Sequence, residues 1–375
     1  MTSKARLASE AALVVAAVLL VVGAACGDLA WFERHVAPRY CIDVPTWPWQ
    51  GARAAAVALA LVLVVVVRPR LGRAVAAWAR PARELAVTSV TIAAALAAAL
   101  GAGELILRAV QWDDRAASEH DDLPAAHADA RLGWSFWPSQ TRRVGSVDYA
   151  IDERGNRAAR AGAAIDPTAP SLAVTGESIG FGFELDWEDT FPALVGRALG
   201  LQVVNVSVPA YGTDQAYLRL AEALPRLSRP RVVVFVFVPQ EIRRNVSPVR
   251  EHFAVGPDGA LARVPAATGL AAWRLARVWS DEPFHGDEAI RVTRAILVAA
   301  AEAARARGAE PLFVVTNYGR RCAGDDPWMV RELFAGLPHV RVELDDADVF
   351  SAYDPHPNPR GSRKIADAVL AAVRR

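Results

Sequence analysis

This chain of 375 residues has little net charge and few cysteines. The formal net charge is +1, so the sequence lacks the broad basic field with which proteins bind nucleic acid. The three cysteines are separated by distances that match no zinc-ligand spacing, and they are Cys26, Cys41 and Cys322. We therefore expect neither a nucleic-acid partner nor a bound metal or other cofactor.

Three interpretations of Cys26 remain open. It can form a disulfide with Cys41, or it can be a small packing residue at the end of a helix. It can also be the lipidated residue of a bacterial lipoprotein, because VVGAAC is similar to the cleavage site of such proteins. Gly23 stands where these sites usually carry a branched apolar residue, which disfavours lipidation.

Before residue 110 the chain consists mostly of alanine, valine and leucine. Three apolar stretches, extended into weakly polar flanks, approach the roughly 20 residues that cross about 30 Å of hydrocarbon. Buried helices of a soluble bundle would show polar stripes at helical spacing, and VALALVLVVVV shows none. The composition predicts a transmembrane region over residues 1–109, with three helices at about 7–26, 52–67 and 85–107.

Basic residues predict how this region is oriented. They precede the first predicted helix and fill the loop between the second and third, at Lys4, Arg6, Arg68, Arg70, Arg73, Arg80 and Arg83. The positive-inside rule then makes both segments cytoplasmic. An odd number of spans predicts a multi-pass protein of the cell membrane, with the lipid bilayer as a partner and everything after residue 110 outside the cytoplasm. Apart from Glu104 the spans have almost no charge, so no ion path is expected.

Residues 110–165 are interpreted as a linker and lead-in segment, and residues 166–375 alternate between strand and helix patterns. Strands are predicted at SLAVTG, LQVVNVS, RVVVFVFV, PLFVVTN and HVRVEL. The third is almost wholly apolar, as a strand buried on both faces is. Amphipathic helices separate the strands, and HFAVGPDGALARV predicts a hairpin. The pattern favours an open α/β fold with a doubly wound parallel sheet of five strands.

Candidate site residues follow four of these strands. Ligands bind at the carboxyl ends of the strands in such sheets, and all these ends lie at one edge. Ser178 follows the first strand, and Asp354 and His356 follow the fifth. The second strand is followed by Ala210 and Gly212, and the third by Gln240 and Glu241.

TGES and DPHPN contain the groups of a serine nucleophile. Serine needs an imidazole to accept its proton and a carboxylate to hold that imidazole. Residues 176–180 also fit the GxSxG elbow of α/β-hydrolases. The order of the residues disfavours that fold, because Ser178 follows the first strand and Asp354 stands only two residues before His356.

Four blocks together resemble the SGNH, or GDSL-like, hydrolase family. They are GES at 176–178 with Gly182, NVSVPAYG at 205–212, PQE at 239–241 and DPHPN at 354–358. The resemblance covers residues 170–375, and VDYAIDERGNR is similar to the lead-in of membrane-anchored bacterial members. It implies the flavodoxin-like sheet of the SGNH hydrolases.

The resemblance also implies roles for individual residues. Ser178 would be the nucleophile of an acyl-serine reaction, His356 the general base and Asp354 its orienting acid. The oxyanion hole would consist of the Ser178 amide, the Ala210 amide and the Gln240 side chain. Such donors typically contribute about 100- to 1000-fold in rate each.

The chain departs from the family pattern at several positions. The usual Asp, Gly, Asn and Asp are replaced by Glu177, Ala210, Gln240 and Glu241, and the acid stands two residues before the histidine where three is commoner. Ala210 keeps its amide but resists a positive φ. Gln240 carries its amide on a stem one methylene longer, which is enough to misplace a donor.

These observations favour a membrane-anchored, outward-facing serine esterase. The predicted substrate is an O-acylated surface glycan or another ester of the cell envelope. One alternative is an O-acyltransferase of cell-surface polysaccharide, in which a sugar hydroxyl captures the acyl group. The other is a catalytically impaired protein of the same fold that binds glycan or assists assembly.

Overall fold

A computed structural model describes residues 13–18, 20–22, 47–70, 123–129, 131–239, 241–246, 251–265, 286–317, 326–351 and 354–373. The described residues up to 70 belong to one compact unit, and those from 123 onward belong to a second.

The first unit contains helix α1, Trp47–Val62, followed by a π-helical turn, Leu63–Val67. Within the described ranges no helix combines the length and apolar character that crossing a membrane requires. The predicted multi-pass membrane localisation is therefore wrong. The span predicted at 85–107 and most of the one at 7–26 lie outside the described residues.

The lead-in segment forms strands that were not predicted. They are β1 Ala126–Asp129, β2 Gly133–Phe136, β3 Thr141–Val144, β4 Val147–Ile151 and β5 Arg157–Ala158. The first two make a separate hairpin, whereas β3, β4 and β5 extend the main sheet in antiparallel fashion. The sheet therefore has eight strands where five were expected. Short strands of this kind carry a weaker sequence signal than a long apolar run.

The predicted strands of the second unit are all present. In chain order they are β6 Ser171–Thr175, β7 Gln202–Asn205, β8 Pro230–Phe237, the hairpin pair β9 His252–Val255 and β10 Leu261–Val264, then β11 Glu310–Asn317 and β12 His339–Glu343. Five of them pair in parallel in the order β7-β6-β8-β11-β12. Numbered along the chain this is 2-1-3-4-5, the flavodoxin-like order.

The helices of the second unit cover both faces of the sheet. They are α2 Ser178–Phe181, α3 Phe191–Leu199, α4 Thr213–Ala223, α5 Glu241–Arg244, α6 Gly286–Ala306, α7 Asp326–Phe334 and α8 Pro359–Val373. Alternate residues of β8 point to opposite faces, where α4, α6 and α7 cover Phe235 and Phe237, and α3 and α8 cover Val234 and Val236. The mostly parallel, doubly wound sheet is confirmed.

Candidate active site

The backbone of Gly176 brings Ser178 to the carboxyl edge of β6. Gly176 has φ +143°, and a Cβ there would lie 2.7 Å from the carbonyl oxygen of Val236 on β8. Only glycine permits this approach. The chain turns directly into α2, whose N-cap Glu177 accepts the amide hydrogen of Ile179 at 3.1 Å. Ser178 is therefore presented at the first position of the short helix.

The structure brings the three predicted catalytic side chains together. The Nε2 atom of His356 lies 2.9 Å from Ser178 Oγ, although the two residues are separated by 178 positions in the chain. The other ring nitrogen, Nδ1, lies 2.6 Å from Asp354 Oδ1. Since the carboxylate accepts the hydrogen on Nδ1, Nε2 is the nitrogen that can accept the serine proton.

The loop that carries His356 is held by Asn358. The amide group of Asn358 donates at 2.9 Å to the carbonyl oxygens of Ala347 and Val349, and its Oδ1 accepts the amide of Gly361 at 3.1 Å. The His356 amide also donates to Asp354 Oδ1 at 3.1 Å. The two-residue spacing of DPHPN thus allows one carboxylate to bind both the ring and the backbone of the histidine.

Glu177 contacts the same hydroxyl as His356. The Ser178 hydroxyl donates to Glu177 Oε2 in a short hydrogen bond, and Glu177 is almost completely buried. A hydroxyl has only one proton to donate. Glu177 and His356 are therefore competing acceptors for the proton of Ser178.

A second buried carboxyl lies beneath this arrangement. Glu241, at the start of α5, is fully buried and accepts the Thr213 hydroxyl at 2.7 Å. Its other oxygen has no hydrogen-bond partner among the described residues. Burial raises the pKa of Glu241 well above its ordinary value, and the nearby charge of Glu177 raises this pKa further. The neutral acid form of Glu241 is therefore favoured over the carboxylate.

Ala210 lies in the turn after β7 with φ +64°, which is a left-handed conformation. The neighbouring residue Tyr211 is buried, and its carbonyl accepts from Arg244 of α5 at 2.9 Å. The turn is thus held in a conformation that disfavours alanine. The predicted oxyanion roles of the Ser178 and Ala210 amides stay predictions, and Gln240 lies outside the described residues.

Sequence reasoning missed Glu184, which follows α2. Its carboxyl oxygen, a carboxyl oxygen of Asp354 and a ring nitrogen of His356 all lie within 4.8 Å of one another. This set has the donor types of a cation site, although Asp354 and His356 already bind each other. No pattern in the sequence marks Glu184, because it belongs to none of the four blocks.

A small cavity adjoins Ser178. Its volume is about 10 Å³, and its wall is formed by Ser178, Ile179, Gly182, Phe183, Leu185, Phe191, Pro357, Ser362 and Ile365. This is room for about one group of the size of a water molecule. The Phe183 ring also packs on His356, with centroids 4.7 Å apart.

No protein-family model matches this chain, and no curated protein matches it at a significant level. Solved structures do match. A lipolytic protein of the G-D-S-L family from Desulfitobacterium hafniense DCB-2 is 14% identical, with 55% of this chain and 99% of that chain covered and a TM-score of 0.33. A member of the same family from Veillonella parvula DSM 2008 is 15% identical, with coverages of 54% and 97% and a TM-score of 0.34.

AlinE4, an esterase of the SGNH-hydrolase family, is 16% identical over 56% of this chain and 97% of its own, with a TM-score of 0.29. The matched structures thus belong to the family that the four blocks resemble, whereas nothing indicates its membrane-anchored type. At TM-scores below 0.5 the likeness carries no inference about activity or residue roles.

The strain at Ala210 predicts the effect of a substitution. A left-handed conformation costs a non-glycine residue about 1 to 2 kcal/mol, which glycine would avoid. Glycine also makes the unfolded chain more flexible, which lowers the stability of the folded state by about 0.4 to 1 kcal/mol. We expect Ala210→Gly to raise the free energy of unfolding by about 0.5 to 1 kcal/mol in urea titrations. Ala164→Gly, at an exposed residue without positive φ, is the control and should lower it. An equal decrease in the free energy of unfolding of both variants would contradict the backbone strain at Ala210.

The raised pKa of Glu241 predicts a pH-dependent gain from Glu241→Gln. The folded state keeps its proton where the unfolded state has lost it, so stability falls as pH rises above the ordinary value of 4.5. At pH 7.5 the free energy of unfolding of the glutamine variant should exceed that of the parent by roughly 1 to 3 kcal/mol. This difference should disappear at pH 4. Exposed Glu343→Gln should show no such pH dependence, and a gain that is equal at both pH values would exclude the ionisation of Glu241 as its cause.

Proposed function

We propose that this protein is a serine-dependent carboxylic ester hydrolase that acts through an acyl-serine intermediate. The observation that carries the proposal is the continuous series of contacts from Ser178 Oγ through both ring nitrogens of His356 to Asp354. A nucleophile, its base and an orienting acid at hydrogen-bonding distances are the arrangement that activates serine.

In the first half of the reaction, Ser178 Oγ attacks the carbonyl carbon of the ester while its proton passes to His356 Nε2. Asp354 accepts the hydrogen on Nδ1 and stabilises the imidazolium that forms. The tetrahedral intermediate then collapses, the bond to the alcohol oxygen breaks, and His356 returns the proton to the departing alcohol. The acyl group remains on Ser178.

In the second half, His356 accepts a proton from water as the water oxygen attacks the acyl carbon. The acid leaves and Ser178 regains its proton. The same intermediate would transfer its acyl group if a sugar hydroxyl replaced water, so the transferase alternative differs only in the acceptor. The alanine amide at position 210 and the Ser178 amide are the proposed donors to the developing oxyanion.

The size of the cavity beside Ser178 supports a short acyl group. Its volume of about 10 Å³ and the side chains of Ile179, Leu185 and Phe191 in its wall suit a methyl group. The surface glycan expected from the sequence depended on the predicted membrane topology, and no helix in the described ranges is long and apolar enough to cross a membrane. The proposal therefore specifies only the acyl side of the ester.

One observation favours the impaired alternative. Glu177 accepts the Ser178 hydroxyl in a buried position, and this contact withdraws the proton from His356. A protein in which the contact persists would retain the fold and bind an ester without cleaving it. Covalent labelling distinguishes the two functions, because it requires an activated serine.

The first test of the proposal uses the folded full chain with a fluorophosphonate probe and p-nitrophenyl acetate. We expect labelling and turnover in the parent, and a loss of about 10⁴-fold or more in kcat/KM in Ser178→Ala and His356→Ala. His127→Ala is the matched control, because that ring contacts only its own hairpin and strand neighbours in the described contacts. A folded parent that neither labels nor turns over ester would refute the hydrolase and leave the impaired alternative.

The acyl cavity predicts chain-length selectivity. We expect kcat/KM for p-nitrophenyl acetate to exceed that for the octanoate by at least about 10-fold, because added methylenes have no space beside Leu185. Leu185→Ala should narrow this ratio by widening the cavity. Leu199→Ala, on α3 and outside the cavity wall, is the control. An octanoate rate that equals the acetate rate in the parent would show that the acyl group binds elsewhere.

A further inference from the structure

Beyond the three predicted catalytic residues, we propose that Glu184 is a positioning residue that holds Asp354 in place for His356. The inference rests on the proposed function, because it assigns a part to Glu184 in the same reaction. Glu184 lies outside the four sequence blocks, and it is brought to the site by the chain that follows α2.

A side-chain hydrogen bond from Glu184 is among the contacts that lower the pKa of Asp354. Oxygens of both groups and a ring nitrogen of His356 lie within 4.8 Å of one another. Two carboxyl groups can hydrogen bond only if one of them carries a proton. One proton is therefore shared between Glu184 and Asp354, as in other close carboxyl pairs.

Asp354 is the member of the pair that stays ionised. Its partial burial raises its pKa, but the hydrogen bond from Glu184 and the contacts with His356 lower it more, so the net pKa lies below the ordinary value. Glu184 is then the protonated partner, and it donates a hydrogen bond to the Asp354 carboxylate. Asp354 keeps its charge for the imidazole, while its carboxylate plane is fixed from a second side.

Glu184 is held at this point by the lead-in strands. It has φ +62°, a conformation that non-glycine residues rarely adopt without support. Its backbone amide donates to Tyr149 Oη of β4 at 2.8 Å. The next carbonyl, of Leu185, accepts from Arg157 Nη2 of β5 at 3.1 Å. Both of these side chains are fully buried. The backbone is therefore held at the amide of Glu184 and at the carbonyl of the residue that follows it.

The Arg157 side chain, which binds the loop of Glu184, is itself buried. Burial lowers the pKa of Arg157 to about 10, although nearby acidic groups oppose this. The guanidinium stacks over the Tyr149 ring at 4.8 Å from its centroid. The two residues that hold the loop of Glu184 thus also hold each other, which gives the loop one defined position beside Asp354.

The experiment compares Glu184→Ala and Glu184→Gln with the parent full chain. Glutamine keeps a donor for Asp354, whereas alanine removes it and keeps a similar backbone strain at positive φ. We expect kcat for p-nitrophenyl acetate to fall about 10-fold or more in the alanine variant with KM within about twofold, and to recover to within about threefold in the glutamine variant. Exposed Glu188→Gln is the control, because Glu188 contacts Arg197 on the surface.

The second readout is the NMR resonance of the His356 Nδ1 proton, which requires no turnover. We expect it in the parent and the glutamine variant, and shifted or broadened in the alanine variant. This pattern in a protein without esterase activity would support the positioning role while the proposed function fails. Identical resonances and kcat values within twofold in all three proteins would overturn the role of Glu184. Equal loss of kcat in both variants, with thermal unfolding unchanged, would overturn the hydrogen bond as its cause.

Discussion

The close approach of two neighbouring strands is the constraint on which the site depends. Gly176 leaves β6 against the backbone of Val236, at a separation that no Cβ permits. The chain can therefore turn at once into α2 and present Ser178 above the sheet edge. A larger residue would push the turn away from β8, and the serine would no longer meet the loop before α8.

Three parts of the fold meet at that edge. The central strands supply Ser178, the loop before α8 supplies Asp354 and His356, and the lead-in strands support the segment after α2. The last contribution is made through Tyr149 and Arg157, whose side chains bind backbone atoms of Glu184 and Leu185. An element that had been interpreted as a lead-in segment therefore forms part of the support for the site.

Three glutamates lie close to Ser178 or to the residues that contact it. Glu177 accepts the Ser178 hydroxyl, Glu241 is buried near Glu177, and Glu184 lies near Asp354 and His356. Charged carboxylates so close together repel in a poorly hydrated site, so protons are retained on some of them. The departures at Glu177 and Glu241 from the family pattern thus change the electrostatics of the serine as well as the sizes of side chains.

Apolar runs and turn residues were enough to predict every parallel strand, because a strand buried on both faces has a strong local signal, whereas the flavodoxin-like order was expected only from the resemblance of the four blocks. DPHPN and TGES likewise indicated the three residues that the structure brings together. Short antiparallel strands, the positive φ of Ala210 and the approach of Glu184 to Asp354 depend on contacts between distant segments. Such contacts leave no local pattern, and only the tertiary structure decided them. The same holds for the second predicted span, whose composition favours a membrane helix although no described helix is long and apolar enough to cross a membrane.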